Sequence, residues 1–304
     1  MSLRQQLRGV GIHVKGQGSQ SRVDIPGLTM GSSPGTRIPM RGRVWYVDPV
    51  NGSDSYDGTE PKKALLTTAA ALAKCTANYG DVIYRLPGDE TLAAILDINV
   101  AGVSIIAAPG GAPGMREKGY RYISSTGYAT GAAVKITQPC YLYGLTFEGK
   151  QTAGPDAQIL YVSAGVDPSG AVLENCYFTG ATCNYGLEVQ GASYCELYGC
   201  TIEGTDALLL SCTTGDAGSQ YNRFENCVIA GATNSIEKST GSTGVPEANI
   251  WRNCYISGTV DNDTVNLVQV FLGCQINATG VDGFMDDTTT GYTTTVAVGN
   301  VYAD

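Results

Sequence analysis

The chain has 304 residues, 43% of them hydrophobic and 15% charged, with 40 glycines and a formal net charge of −9. That much apolar matter builds a core and excludes a disordered chain, and no apolar run reaches the roughly 18 residues of a membrane-spanning helix. Few charges and many glycines are the balance of a β-rich protein with tight turns rather than of a helical enzyme.

The charge is unevenly divided. Residues 1–44 carry Arg4, Arg8, Lys15, Arg22, Arg37, Arg41 and Arg43 against the single acid Asp24, about +6, whereas the other 260 residues hold 12 basic and 27 acidic groups, about −15. The segment is rich in Gly, Ser, Gln, Pro and Arg, shows no useful helical or strand periodicity, and cannot bury enough apolar surface to fold alone. It is either a disordered tail or, the expectation adopted, an extended anchoring arm ordered by a partner that those seven cations touch. The opening MSLRQQLRGVGIHVKGQG has no apolar segment long enough for a signal peptide, which predicts folding in a cytoplasm without export.

Residues 45–100 predict an N-terminal cap. The β-prone VWYV from Val44 leads into the acidic turn DPVNGSDSYDGTEP, and KKALLTTAAALAKC, with Pro61 near its start, predicts a helix. DVIYRLPG and then VSIIAAPGG read as strands closed by Pro and Gly. One helix followed by strands is the order expected when a helix covers the open end of a β stack. Asp48, Asn51, Asp54 and Asp57 offer oxygens at short spacing, as a Ca²⁺ loop would, but without the EF-hand spacing or its closing Glu. A metal-free polar turn has the same composition, so the expectation is no cofactor, with Ca²⁺ here as the alternative.

From 101 to 304 one phrase recurs: LYGLTFEG at 142, LENCYFTG at 173, LYGCTIEG at 197, FENCVIAG at 224, WRNCYISG at 251 and FLGCQINA at 271. The third place is always Asn or Gly, the residues that best tolerate a left-handed bend. After the bend, alternation turns the fourth and sixth places inward (Cys176 and Phe178, Cys200 and Ile202, Cys227 and Ile229, Cys254 and Ile256) and the fifth outward. Irregular intervals of 31, 24, 27, 27 and 20 residues suit a coil whose loops vary while its strands stay in register. The fold class is therefore all-β, a right-handed parallel β-helix with an N-terminal capping helix and an extended arm. The cysteines read as small core residues: there is no CxxC pair, and the one histidine is His13. The C-terminal TTTGYTTTVAVGNVYAD alternates like a last strand that caps or trimerises the stack.

The coil resembles pectate-lyase-like β-helix proteins. The stretch YVDPVNGSDSYDGTEPKKALLTTAAALAK with GDVIYRLPG is similar to the strand, acidic turn, helix and first rung found in many of them, so the resemblance spans roughly residues 44–280. It implies the fold; the scaffold serves polysaccharide lyases, glycoside hydrolases, adhesins and phage tailspikes or other virion proteins. Lyases of this type need an acidic Ca²⁺ cluster beside a Lys or Arg, and hydrolases need two or three facing carboxylates. After Lys150 the basic residues are Arg223, Lys238 and Arg252. Arg223 and Arg252 are either a solvated surface pair or a contact for an acidic host-surface glycan. The body has no histidine, and no residue is assigned as catalytic. The outward stripe Thr146, Tyr177, Thr201, Val228, Tyr255, Gln275 is uncharged, and its Tyr177, Val228 and Tyr255 are the candidate interface of a homotrimer. The basic arm suits an acidic, pre-assembled capsid or tail surface; an acidic body disfavours nucleic acid, and no membrane partner is expected. The expected function is a bacteriophage virion structural protein, a capsid decoration or cement protein or a short spike, assembled into the virion in the host cytoplasm. The alternative is a tailspike-type or free polysaccharide lyase or hydrolase acting on an acidic glycan.

Overall fold

Each copy of the phrase folds as two short strands joined by one left-handed residue. The bend residues Gly144, Asn175, Gly199, Asn226, Asn253 and Gly273 have φ of 69°, 52°, 59°, 54°, 52° and 64°. Asn and Gly are chosen for more than torsion: a Cβ on Gly199 would stand 2.6 Å from Asn175 Oδ1, so the asparagine amide of one rung occupies the space that the next glycine leaves. A computed structural model describes residues 13–15, 22–24, 42–107, 121–124, 133–148, 158–161, 167–211, 219–238, 248–260, 269–277, 296–298 and 301–302.

The strands before the bend stack in parallel, pairing Leu142, Leu173, Leu197, Phe224, Trp251 and Phe271 rung by rung. Those after it pair Phe147, Phe178, Ile202, Ile229, Ile256 and Ile276 in the same way. Among the described residues the first set belongs to a ten-stranded sheet and the second to a twelve-stranded one. This is a parallel β-helix, and its interior is the column set that the repeat predicts. Tyr122, Phe147 and Phe178 form one aromatic stack, with centroids 5.4 and 5.0 Å apart, and Phe224, Trp251 and Phe271 form another, at 4.0 and 5.8 Å. Each such side chain contributes about 1.5–3 kcal/mol by leaving water.

The fourth-place cysteines are buried and also bonded. Cys176, Cys200, Cys227, Cys254 and Cys274 each donate the thiol to the first-place carbonyl one rung earlier: Leu142, Leu173, Leu197, Phe224 and Trp251. Each thiol thus finds a backbone acceptor inside the core. A second internal ladder is built from Asn222 and Asn249. Asn222 Oδ1 accepts from Cys195 N, and Asn249 Oδ1 accepts from Asn222 N. Of the fifth-place stripe, Tyr177, Thr201, Val228 and Tyr255 are half-buried and Gln275 is exposed, while Thr146 is covered.

The cap differs from the sequence expectation in its helix. Pro61–Lys63 makes one 3-10 turn, the chain then extends so that Leu65 bridges to Val47 and is buried, and the α-helix is Thr68–Leu72. The cause lies in LLTT. Leu65 gains more by entering the core than by prolonging a helix, and the Thr67 hydroxyl accepts from Ala70 N to start a new one. The short helix packs on the Val44–Val47, Val82–Arg85 and Leu96–Ile98 strands, burying Ala71 and Leu72 over the first rungs. The chain divides into two compact units, Met1–Ile38 and Pro39–Asp304. Within the first, His13–Lys15 pairs antiparallel with Arg22–Asp24 and sets Lys15 opposite Arg22, a short hairpin where no strand periodicity was expected.

Candidate functional site

The outward side chains of the coil bind one another across rungs and along single strands. On the ten-stranded sheet, Tyr141 OH donates to Glu174 Oε2 at 2.8 Å and Tyr198 to Glu196. On the twelve-stranded sheet, Tyr177 OH donates to Glu203 Oε2 at 2.6 Å. These bonds restrain an otherwise flexible acidic surface. Burial and the adjoining carboxylate push the Tyr198 phenol up to about 12.

Arg223 and Arg252 lie on adjacent rungs but not opposite each other: Arg223 is in register with Ile250, and Arg252 with Glu225. The Arg223 guanidinium bonds to Glu225 and sits 5.7 Å from the Tyr198 ring, while Arg252 is exposed. Lys238 falls in the next strand, Val228–Lys238, in register with Leu210.

The Asp48–Asp57 turn uses its carboxylates on nearby backbone, its own and that leading into the helix. Asp48 Oδ1 accepts from the N–H of Val50 and Asn51, Asp54 Oδ1 from those of Leu66 and Thr67, and Asp57 Oδ1 from Thr59 N and Oγ1. Burial works against ionisation of Asp48, but the bonds from Asn51 and Val50 overcome it and hold the carboxyl below the usual value. Among the described residues, no three His, Cys, Asp or Glu side chains gather closely enough to hold a metal ion.

Of the seven arm cations, Lys15 and Arg22 sit in the hairpin strands, and Arg43 donates its backbone N–H to Asp81 Oδ1. Arg4, Arg8, Arg37 and Arg41 lie outside the described residues.

One cluster was missed by sequence reading. Glu188, in the Tyr177–Gln190 strand, is buried, and Ser211 Oγ donates to its Oε1. Desolvation raises the Glu188 carboxyl above its ordinary value, the serine bond opposing this only in part. Nearby, Tyr185 bonds to Glu237, and Asp206 Oδ1 accepts from Asn234 N. Register shifts in these strands scramble the period-two pattern that would have marked the acids as a group. Burial pushes the Cys195 thiol up to about 12, far from a reactive thiolate.

A family model for a right-handed β-helix region matches residues 125–288, more than half of the chain. The chain belongs to the right-handed β-helix family. Among solved structures this β-helix is similar to Geobacillus virus E2 ORF18, with a TM-score of 0.51 and 12% identity over 69% of this chain and 45% of that one. It is also similar to the pectate lyase Pel9A, with a TM-score of 0.48 and 16% identity over 86% and 74% of the two chains. The tailspike protein gp49 of Acinetobacter baumannii bacteriophage Fri1, a capsular polysaccharide depolymerase, gives a TM-score of 0.39 and 13% identity over 77% and 49%. At these identities the shared feature is the coil. The β-helix spans less than half the length of ORF18. No curated protein matches it.

Proposed function

We propose that this β-helix is a bacteriophage virion structural protein, a capsid decoration or short spike, held to its particle by the basic residues of segment 1–44. The observation that carries the reading is the charge division: about +6 in the first 44 residues against about −15 in the rest. A cationic arm suits an acidic particle surface, while an acidic body keeps neighbouring copies soluble. The outward carboxylates support it further, since Glu174, Glu203 and Glu225 are spent on cross-rung and in-strand bonds that stiffen a scaffold. The coil shared with the viral ORF18 fits a virion setting. The homotrimer would meet along the Tyr177, Val228 and Tyr255 stripe, which the register aligns through Thr201. Assembly into the virion takes place in the host cytoplasm, and no cofactor is invoked.

Removing residues 1–44 is expected to leave a folded coil of unchanged oligomeric state that no longer binds purified particles. Retained particle binding overturns the reading.

Polysaccharide hydrolysis is the second reading, favoured by Glu188. Its buried carboxyl, shifted upward by desolvation, moves in the direction a general acid needs, and Glu237 stands two rungs along the same register column through Leu209. Release of reducing sugar from a host-surface polysaccharide, abolished by Glu188→Gln, would place this reading first; no release leaves the structural one.

A further inference from the structure

The corner where the chain enters the ten-stranded sheet is left-handed on six rungs: Gly80, Gly102, Gly170, Tyr194, Tyr221 and Ala248 have φ of 79°, 74°, 81°, 58°, 56° and 53°. They are equivalent positions, each two residues before a member of the register column Val82, Ser104, Tyr141, Val172, Glu196, Arg223, Ile250, the rung of Tyr141 alone having a proline, Pro139, at the corner. Glycine is the residue this backbone favours, and a bulky side chain there is an outlier. Yet two adjacent rungs place tyrosine at it, and neither ring is hidden. Tyr194 is 63% exposed and Tyr221 49%, the largest apolar exposures among the described residues of the coil proper.

The two rings are stacked, with centroids 5.3 Å apart and planes 11° from parallel. At the equivalent positions on either side no third ring continues the stack. A Cβ built on Gly170, the rung before Tyr194, would meet nothing within 4 Å, and Ala248, the rung after Tyr221, offers only a methyl group. Hydroxyl and amide groups rim the corner: Ser193 N donates to Ser169 Oγ, and Gln220 N to Ser193 Oγ.

We propose that Tyr194 and Tyr221 form a carbohydrate platform that takes a neutral, pyranose-containing glycan. The C–H face of a sugar ring continues the aromatic column over the open face of either tyrosine, whose π-cloud is the negative part of its quadrupole. The hydroxyls of the sugar then meet the Ser169, Ser193 and Gln220 rim. A neutral sugar fits better than a uronic acid. Asp167 is exposed at this corner, the body is acidic, and the Arg223 guanidinium is turned to Glu225 and Tyr198. Two parallel, stacked rings do not form the converging walls that hold a quaternary ammonium. A protein partner would need about 800 Å² on each side, far more than two rings supply. The platform is independent of the arm and stands whether or not the protein sits on a particle.

The test titrates the full chain calorimetrically with maltohexaose, cellohexaose, xylohexaose and mannohexaose, and with hexagalacturonate as the acidic control. Wild type is expected to bind at least one neutral hexasaccharide and to prefer it to hexagalacturonate. Tyr194→Gly/Tyr221→Gly, which suits the left-handed backbone and so keeps the fold, is expected to weaken binding by about tenfold or more, while Tyr221→Phe retains it. No binding of any neutral hexasaccharide, preference for hexagalacturonate, or unchanged binding by the Gly/Gly protein overturns the proposal. So does dissociation of the native oligomer by the Gly/Gly change, which would make the rings a subunit contact.

Discussion

The cap (residues 42–107) and the regular coil (167–277) solve the same problem, burying polar groups in a β stack, in opposite ways. The cap relies on partners that occur once. Arg85 is fully buried with Nε 3.7 Å from Glu90 Oε2 and its guanidinium 4.5 Å from the Tyr122 ring. Glu90 in turn accepts from Thr68 N and Oγ1, so the first residue of the helix is tied to the second rung of the stack. The coil relies on repetition: thiol to carbonyl, ring on ring, left-handed residue over left-handed residue. A group with a unique partner leaves a desolvated orphan when it is removed, whereas a column with one member changed keeps its neighbours.

The largest effects should therefore come from the cap. Arg85→Met leaves Glu90 buried without its cation and is expected to cost about 3–5 kcal/mol in urea unfolding. Adding Glu90→Gln should recover most of that loss, because the penalty belongs to the orphan. In the coil, Trp251→Phe substitutes a ring like those of Phe224 and Phe271 above and below, and is expected to cost about 1–2 kcal/mol. Equal costs for the two single variants would break the distinction. Asp81, buried with one oxygen on Arg43 N and the other on Thr76 N, belongs with the cap, and Asp81→Ala should cost about 2 kcal/mol.

Smaller effects test the columns one member at a time. Asn226→Ala forces a Cβ-bearing residue that lacks a local hydrogen-bonding side chain into φ 54° and should cost about 1 kcal/mol, while Asn226→Gly stays near wild type. Cys227→Ala removes the donor to Leu197 O and should cost about 1 kcal/mol, with Cys227→Ser recovering part of it if the hydrogen bond matters. Serine no better than alanine would mean that sulfur volume, not donation, fixes the residue.

The same contrast explains what could be read in advance. The coil was legible because each column repeats one physical demand at a fixed place: a bend at Asn175 or Gly199, an inward sulfur at Cys200 and an inward branched or aromatic chain at Ile202. The helix length was not, since it depends on whether Leu65 reaches Val47, a contact about 18 residues away in sequence that no local propensity encodes. The Arg85–Glu90–Thr68–Tyr122 network was equally hidden, because its members share no period and meet only after the strands have stacked. Tyr194 and Tyr221 stood two residues before charged strand positions, in places where alternation had not begun, so nothing in the pattern flagged them as a pair. The candidate sites named from charge alone fared according to surroundings: Arg223 is engaged by Glu225, and the Asp48–Asp57 acids by the backbone of the cap.

Glu188 sharpens the comparison, because it lies in the coil yet is buried in the manner of the cap. Desolvation raises its carboxyl above the ordinary value of 4.5, so the folded state holds that proton more tightly than the unfolded chain does. The group's contribution to stability is then fully present below about pH 4.5 and is lost as pH rises through the raised folded value. Glu188→Gln keeps an oxygen to accept from Ser211 Oγ but cannot ionise. The variant and wild type should therefore melt together at low pH, and the variant should melt higher as pH rises toward neutrality. A melting-temperature difference measured across that range isolates Glu188 from Glu90, whose desolvated carboxyl shifts in the same direction but is common to both proteins. If the variant instead melts lower near neutrality, the ionised carboxylate is the form the coil stabilises, and Glu188 acts as an anchor with a unique partner rather than as a buried acid tolerated within a repeating stack.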